Sequence, residues 1–136
     1  MREEDDVQIL EARLRVYVGP TELDTTVAFY AKIFGEKCRL RFEYPAVGLE
    51  LATVGSVLIL SGPDEALARY KGTAATFLVD DLDAFTAALP KMGAMIMDGP
   101  KEMPTGVNMR VRHPDGTIVE YVQHQNKKAA TADQRG

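Results

Sequence analysis

The sequence predicts an α+β fold built of two tandem βαβββ units, and three observations carry that reading. Strand-type alternation and helix-type periodicity follow one another in the same order twice along the chain. The two passages are in register, since Val18 and Val79 stand 61 residues apart and so do Gly55 and Gly116. Leu23-Asp24 and Leu82-Asp83 stand 59 apart, which puts a two-residue difference in the strand-to-helix loop. Finally, 136 residues with 46% apolar content are enough for one ordinary domain and too few for two independent ones.

In the first unit, Ala12 to Val18 alternates as a half-buried strand, with Leu14, Val16 and Val18 on one face and Arg13, Arg15 and Tyr17 on the other. A Gly-Pro break follows. Thr21 then reads as an N-cap, with Glu22 and Asp24 in the first turn where the helix dipole favours negative charge. Leu23, Val27, Tyr30 and Phe34 recur at helical spacing, and Gly35 stands where a left-handed residue would end a helix over 21–34. Strands follow over 37–44, 48–53 and 56–61, the last two joined at Gly55. The second unit repeats the order. Its strand covers 74–79, and its helix starts at Asp80-Asp81 and carries Leu82, Phe85, Leu89 and Met92, with Pro90 shortening its end. Strands over 94–97, 107–112 and 117–123 complete it, the last two joined by His113-Pro114-Asp115-Gly116. The charged cluster Met1–Asp6 and the small, polar run from Lys127 lie outside this pattern. The expected organisation is a flexible segment over 1–11, a single domain over 12–123 with modules at about 12–62 and 73–123, and a flexible tail over 124–136.

Charge and composition exclude several functions. Sixteen basic against twenty acidic residues give a net charge of −4, which leaves no electrostatic footprint for nucleic acid or an anionic membrane. The single cysteine, Cys38, allows no internal disulfide and no CxxC motif; it reads as a small apolar residue without chemistry. No leader-like or membrane-spanning apolar run is present, so a cytoplasmic protein is expected. Only two histidines, His113 and His124, are available for metal or acid–base work.

VYVGPTELDTTVAFYAKIFG, FLVDDLDAF and HPDGTIVEYVQ together resemble the vicinal oxygen chelate superfamily, which includes glyoxalase I, extradiol dioxygenases and the bleomycin- and fosfomycin-resistance proteins. The resemblance spans about Ala12 to Gln123. It implies two βαβββ modules in an open, curved mixed sheet, with helices outside and a ligand cavity on the concave side. Many enzymes of the superfamily hold a divalent metal with His or Glu from the first and last strands of each module. Carried over by counting from Val18 and Val79, and from Gly55 and Gly116, those positions are Arg13, Ala74, Ile59 and Glu120. Arginine has no lone pair to give and Ile59 and Ala74 offer nothing, so Glu120 stands alone; no metal and no cofactor are expected.

Side chains two apart share a face, so the cavity lining is expected from Arg13, Arg15 and Tyr17; Val57, Ile59 and Ser61; Ala74, Thr76 and Leu78; and Ile118, Glu120 and Val122. This is a mostly apolar surface with a cationic corner and one carboxylate, the composition of a small-molecule pocket. Phe42, Tyr44 and Tyr17 offer aromatic faces for a planar ligand, and Asn108 and Arg110 offer polar contacts. Tyr30, Phe34, Phe77 and Phe85 are expected in the core. The five methionines from Met92 to Met109 form either an adaptable wall or core filling beneath the second helix. Arg13 and Glu120 read in two ways: as an anion-binding cation with a proton-accepting or catalytic carboxylate, or as a pair that neutralise each other.

The leading expectation is a metal-independent protein that binds and sequesters a planar or anionic small molecule, homodimeric as the resemblance implies. The alternatives are a metal-dependent lyase, isomerase or dioxygenase, and a non-catalytic interaction module.

Overall fold

Residues 7–125 are described by the computed structural model, and they order as β1 (Ile9–Val18), α1 (Leu23–Phe34), β2 (Leu40–Tyr44), β3 (Leu49–Val54), β4 (Val57–Ser61), α2 (Asp64–Leu67), β5 (Thr73–Val79), α3 (Leu82–Lys91), β6 (Met95–Met103), β7 (Gly106–Arg112) and β8 (Ile118–His124). Two βαβββ passages are therefore present, with the 61-residue offset preserved at the ends of β1 and β5 and at the starts of β4 and β8. By contact density the chain divides into Ala12–Thr76 and, among the described residues, 7–11 with 77–125. Of the segments expected to be flexible, 1–11 and 124–136, residues 9–11 stand in β1 and His124 in β8, while 1–6 and 126–136 lie outside the described residues.

The first unit orders its strands β2-β3-β4-β1, with β1 parallel to β4 and the β2-β3-β4 meander antiparallel. β1 begins at Ile9, three residues earlier than its alternation suggested, because Ile9-Leu10 precede the first clean apolar–polar switch. Helix α1 starts at Leu23 and not at Thr21. Glu22 occupies its N-cap position, where the carboxylate turns back to accept from the Gly19 N–H at 2.7 Å and provides no side-chain cap. Gly35 ends the helix in the left-handed region (φ 67°), as its position after Phe34 required. Arg41 lies between Asp24 at 2.8 Å and Glu50 at 2.9 Å, which ties β2 to the start of α1.

Both faces of this sheet are covered. On the α1 side Val54, Val57, Ile59, Ala52 and Leu23 form a cluster joined by Val16, Val27, Tyr30 and the half-buried Cys38. On the other side Leu49, Leu51, Leu58, Leu60 and Leu67 form a second cluster, against which Tyr17, Phe42, Tyr44 and Tyr70 pack. The short helix α2, absent from the sequence reading, supplies Leu67 to that second cluster. Four residues show no measurable helical period.

The second unit orders its strands β5-β8-β7-β6 with both hairpins antiparallel. Asp81 caps α3, its carboxylate accepting from the Ala84 N–H, and the helix ends at Lys91, one residue past Pro90. Phe85, Phe77, Tyr121 and His113 form an aromatic group, with the Phe85 and Tyr121 ring centroids 5.3 Å apart. Phe85 is buried and Tyr30 and Phe77 half-buried as expected of core residues, but Phe34 is 38% exposed, lying over Gly55 at the end of α1. The methionines do not act together. Met109 is fully buried and accepts from the Thr86 hydroxyl under α3, whereas Met92 and Met95 are exposed. β6 runs to Met103, longer than its apolar part, with register shifts on either side of Asp98.

Candidate functional site

In the first unit the polar face of β1 is built as the alternation required. Arg13 and Arg15 are 7% and 9% exposed, and Tyr17 is half-buried beside them. Cross-strand pairing puts Arg15 beside Leu58 and Tyr17 beside Leu60, so the floor under these polar groups is the leucine cluster. The Arg15 Nε–H donates to the Thr76 hydroxyl at 2.9 Å, and its Nη1 donates to the Tyr17 hydroxyl at 3.2 Å. Two neutral oxygens thus fix the guanidinium plane. The Tyr17 hydroxyl in turn reaches the carbonyls of Tyr70 at 2.5 Å and Thr73 at 2.7 Å. Phe42 and Tyr44 lie half-buried against the same leucines, more as walls of that cluster than as free stacking faces.

Ile59 departs from the expected lining. Alternation assigns it to the face of Arg13 and Arg15, but it pairs with Val16 and is fully buried among the residues under α1. Val57 is displaced to that side with it, in the same cluster under α1. The cause is twofold. All five residues of β4 are buried, so polarity gives no phase. The count of four from the hairpin glycine also misleads: Val54 pairs with Val57 across two residues, whereas Arg112 pairs with Ile118 across five. Equal counts from Gly55 and Gly116 therefore end on opposite faces, and Leu58 and Leu60 take the place Ile59 was assigned.

In the second unit Glu120 is 7% exposed on the face of β8 turned away from α3, and its cross-strand neighbour is Arg110. Asn108 and Arg110 share that face, because the intervening Met109 packs under α3. The Asn108 amide donates to the Glu120 carboxylate at 2.5 Å, which leaves the buried Asn108 Oδ1 without a hydrogen bond. Arg110 turns toward β6, its Nε and Nη2 donating to Asp98 Oδ2 at 3.0 and 2.8 Å. Partial burial alone would raise the Asp98 carboxyl, but the hydrogen bonds and charge of Arg110 outweigh it and hold the group below the usual carboxylate range. Asp98 was missed in the sequence because the irregular pairing of β6 hides which residue meets Arg110. Near the closing turn, His113 Nε2 and the Tyr121 hydroxyl share a hydrogen bond of 2.7 Å, and burial pushes the Tyr121 phenol up to about 12.

A cleft of about 230 Å³ opens in the first unit between Pro20, Pro45, Leu49 and Pro63, with Glu43 and Glu50 opposite each other on β2 and β3. Of the residues expected in a cavity lining, Ser61 alone borders it, and its hydroxyl donates to the Gly19 carbonyl at 2.8 Å. Among the described residues no group of three or more His, Cys, Asp or Glu side chains could hold a metal ion.

The profile of the Glyoxalase/Bleomycin resistance protein/Dioxygenase superfamily matches residues 14–121, most of the chain, and the protein belongs to that superfamily. No curated protein matches the sequence. A solved structure of a hypothetical protein from Methanosarcina mazei is 43% identical over 87% of this chain and 94% of its own, with a TM-score of 0.79. Methylmalonyl-CoA epimerase from Mycobacterium tuberculosis is 17% identical over 88% of this chain and 91% of its own, with a TM-score of 0.62. A singly substituted Streptomyces coelicolor methylmalonyl-CoA epimerase in complex with 2-nitronate-propionyl-CoA is 19% identical over 88% of this chain and 100% of its own, with a TM-score of 0.56. These two epimerases share the fold, and the fold is that of the glyoxalase and bleomycin-resistance proteins.

The divalent metal that the superfamily implies does not fit the residues present. The positions carried over are an arginine, an isoleucine turned toward α1, an exposed alanine and one glutamate already accepting from Asn108. Replacing Ile59 by the correctly facing Leu58 or Leu60 adds no donor atom.

Proposed function

We propose that this protein is a small-molecule-binding member of the superfamily that holds an anionic or planar ligand with its own side chains, without a metal ion, and sequesters it. The observation that carries the reading is the pair of buried guanidiniums, Arg13 and Arg15, on one strand face above a floor of leucines. Thr76 and Tyr17 fix the orientation of Arg15, so its donors are arranged before a ligand arrives. Arginine suits a carboxylate, a phosphate or a sulfonate equally. The 2-nitronate-propionyl-CoA held by the Streptomyces epimerase is itself an anion, as a nitronate must be.

The test is titration calorimetry with benzoate, phenyl phosphate and benzenesulfonate, beside elemental analysis of protein purified without chelator. Saturable binding that weakens in Arg15→Met, with no stoichiometric metal, is the expected result. A metal retained at one per chain, or none of the three anions binding, overturns the reading. A homodimer is part of the same proposal, and light scattering at twice the chain mass is its check.

A further inference from the structure

We propose that Tyr17 is a latch through which an anion held by Arg15 loosens the turn that leads into β5; the inference rests on the anion-binding reading above. The Tyr17 hydroxyl has one proton and two carbonyls within reach, Tyr70 O at 2.5 Å and Thr73 O at 2.7 Å. Those residues are the two ends of a turn that the chain also closes on itself, the Thr73 N–H donating to Tyr70 O at 2.9 Å. The phenol therefore grips both ends of one turn, 53 and 56 residues away in sequence. Thr73 is fully buried, so β5 begins at a fixed point.

The strength of this grip depends on Arg15. A cationic N–H donating into the phenol oxygen polarises its O–H and makes it a stronger donor to the carbonyls beyond. Arg15 Nη1 does this at 3.2 Å, a longer bond than the 2.9 Å that keeps Nε on Thr76. A ligand carboxylate is a stronger acceptor for Nη1–H than a phenol oxygen. An anion that takes Nη1 withdraws the polarising bond, and the 70–73 turn is held less firmly. The site and the connection between the two βαβββ passages are thereby coupled through two side chains on one strand.

Amide hydrogen exchange by NMR on the full chain tests this at the Thr73 and Lys71 N–H groups, with the amides of β7 and β8 as the reference for global stability. Tyr17→Phe is expected to speed Thr73 exchange by about fivefold to tenfold, the effect of losing one ordinary hydrogen bond in a local opening. Arg15→Met is expected to speed it by a smaller factor in the same direction, and to add nothing in the Tyr17→Phe background. Thr76→Val, which removes the acceptor of the Arg15 Nε–H and leaves the charge in place, gives the same direction should Arg15→Met not fold. Saturating benzoate is expected to speed Thr73 exchange in the unsubstituted protein and not in Tyr17→Phe. If Tyr17→Phe speeds the exchange while Arg15→Met and Thr76→Val leave it unchanged, the latch is overturned. If benzoate binds by calorimetry and Thr73 exchange does not move, the latch falls while the binding reading stands. If benzoate does not bind, the binding reading loses that ligand and the substitutions still decide whether Arg15 and the turn are coupled.

Discussion

Tyr121 lends itself to a quantitative test, because its phenol is buried beneath α3 and ionises only at about 12 when folded, against 10.0 for the ordinary group. The folded state thus keeps its proton where the unfolded chain has lost it. Stability from this source is complete below pH 10 and declines as pH rises toward 12, because there the native state binds more protons than the unfolded one. Over the full window the loss approaches about 2.7 kcal/mol, and at pH 11 it is about 1.4 kcal/mol. Urea unfolding followed by far-UV circular dichroism at pH 7, 9, 10 and 11 measures it. The quantity of interest is the difference between the protein and Tyr121→Phe, in which every contribution not due to this phenol cancels. At pH 7 Tyr121→Phe is expected to be less stable by about 1 kcal/mol for the bond shared with His113. At pH 11 the gap is expected to close or reverse. If the two proteins lose stability in parallel from pH 9 to 11, the phenol is not buried in the manner described.

Other perturbations have equally definite outcomes. Gly106→Ala drives a methyl into the Gln123 carbonyl oxygen at φ +155°, so the β7–β8 pairing must move; a loss of about 3 kcal/mol in urea unfolding is expected. Asp98→Asn removes a depressed carboxyl whose contribution is present above pH 3.8 and lost as pH falls through its folded value. Because that ion pair is about one-third exposed, the loss at pH 7 is about 0.5 kcal/mol, with a flatter acid limb in the stability profile. Asp81→Ala deletes the side-chain cap of α3 and is expected to lower the melting temperature by the equivalent of about 1 kcal/mol. Incubation with EDTA followed by desalting is expected to leave thermal unfolding unchanged; a fall in melting temperature restored by one divalent ion would refute the metal-independent reading.

The fold was legible where local chemistry and tertiary structure agree. Gly35 after a four-three-four apolar spacing ended a helix because a left-handed residue is needed to turn there, and Asp115-Gly116 made a turn because its carboxylate accepts from the Thr117 N–H. The polar face of β1 was legible because its two sides differ in polarity. β4 was not, since a strand covered on both sides carries no alternation, and Ile59 was assigned to the wrong face as a result. The partners of the site residues were hidden for a different reason. Tyr17 spends its hydroxyl on backbone carbonyls, which every residue possesses, so no residue type in the sequence marks Tyr70 or Thr73 as the recipients. Asp98 was hidden by the irregularity of β6, which breaks the correspondence between sequence position and cross-strand neighbour.

Arg15 and Thr76 stand 61 positions apart, the same interval that relates the two βαβββ passages, so the bond between them joins corresponding places in the two halves. In an assembly of two identical half-length chains related by a twofold axis, each of these places would meet its own twin. Two guanidiniums would then repel, and two threonines would offer no cation to an anionic guest. A donor on one side and an acceptor on the other requires the two places to differ, and within one polypeptide they can mutate independently. The single chain thus holds an asymmetric cation that two identical half-length chains could not hold at this spot.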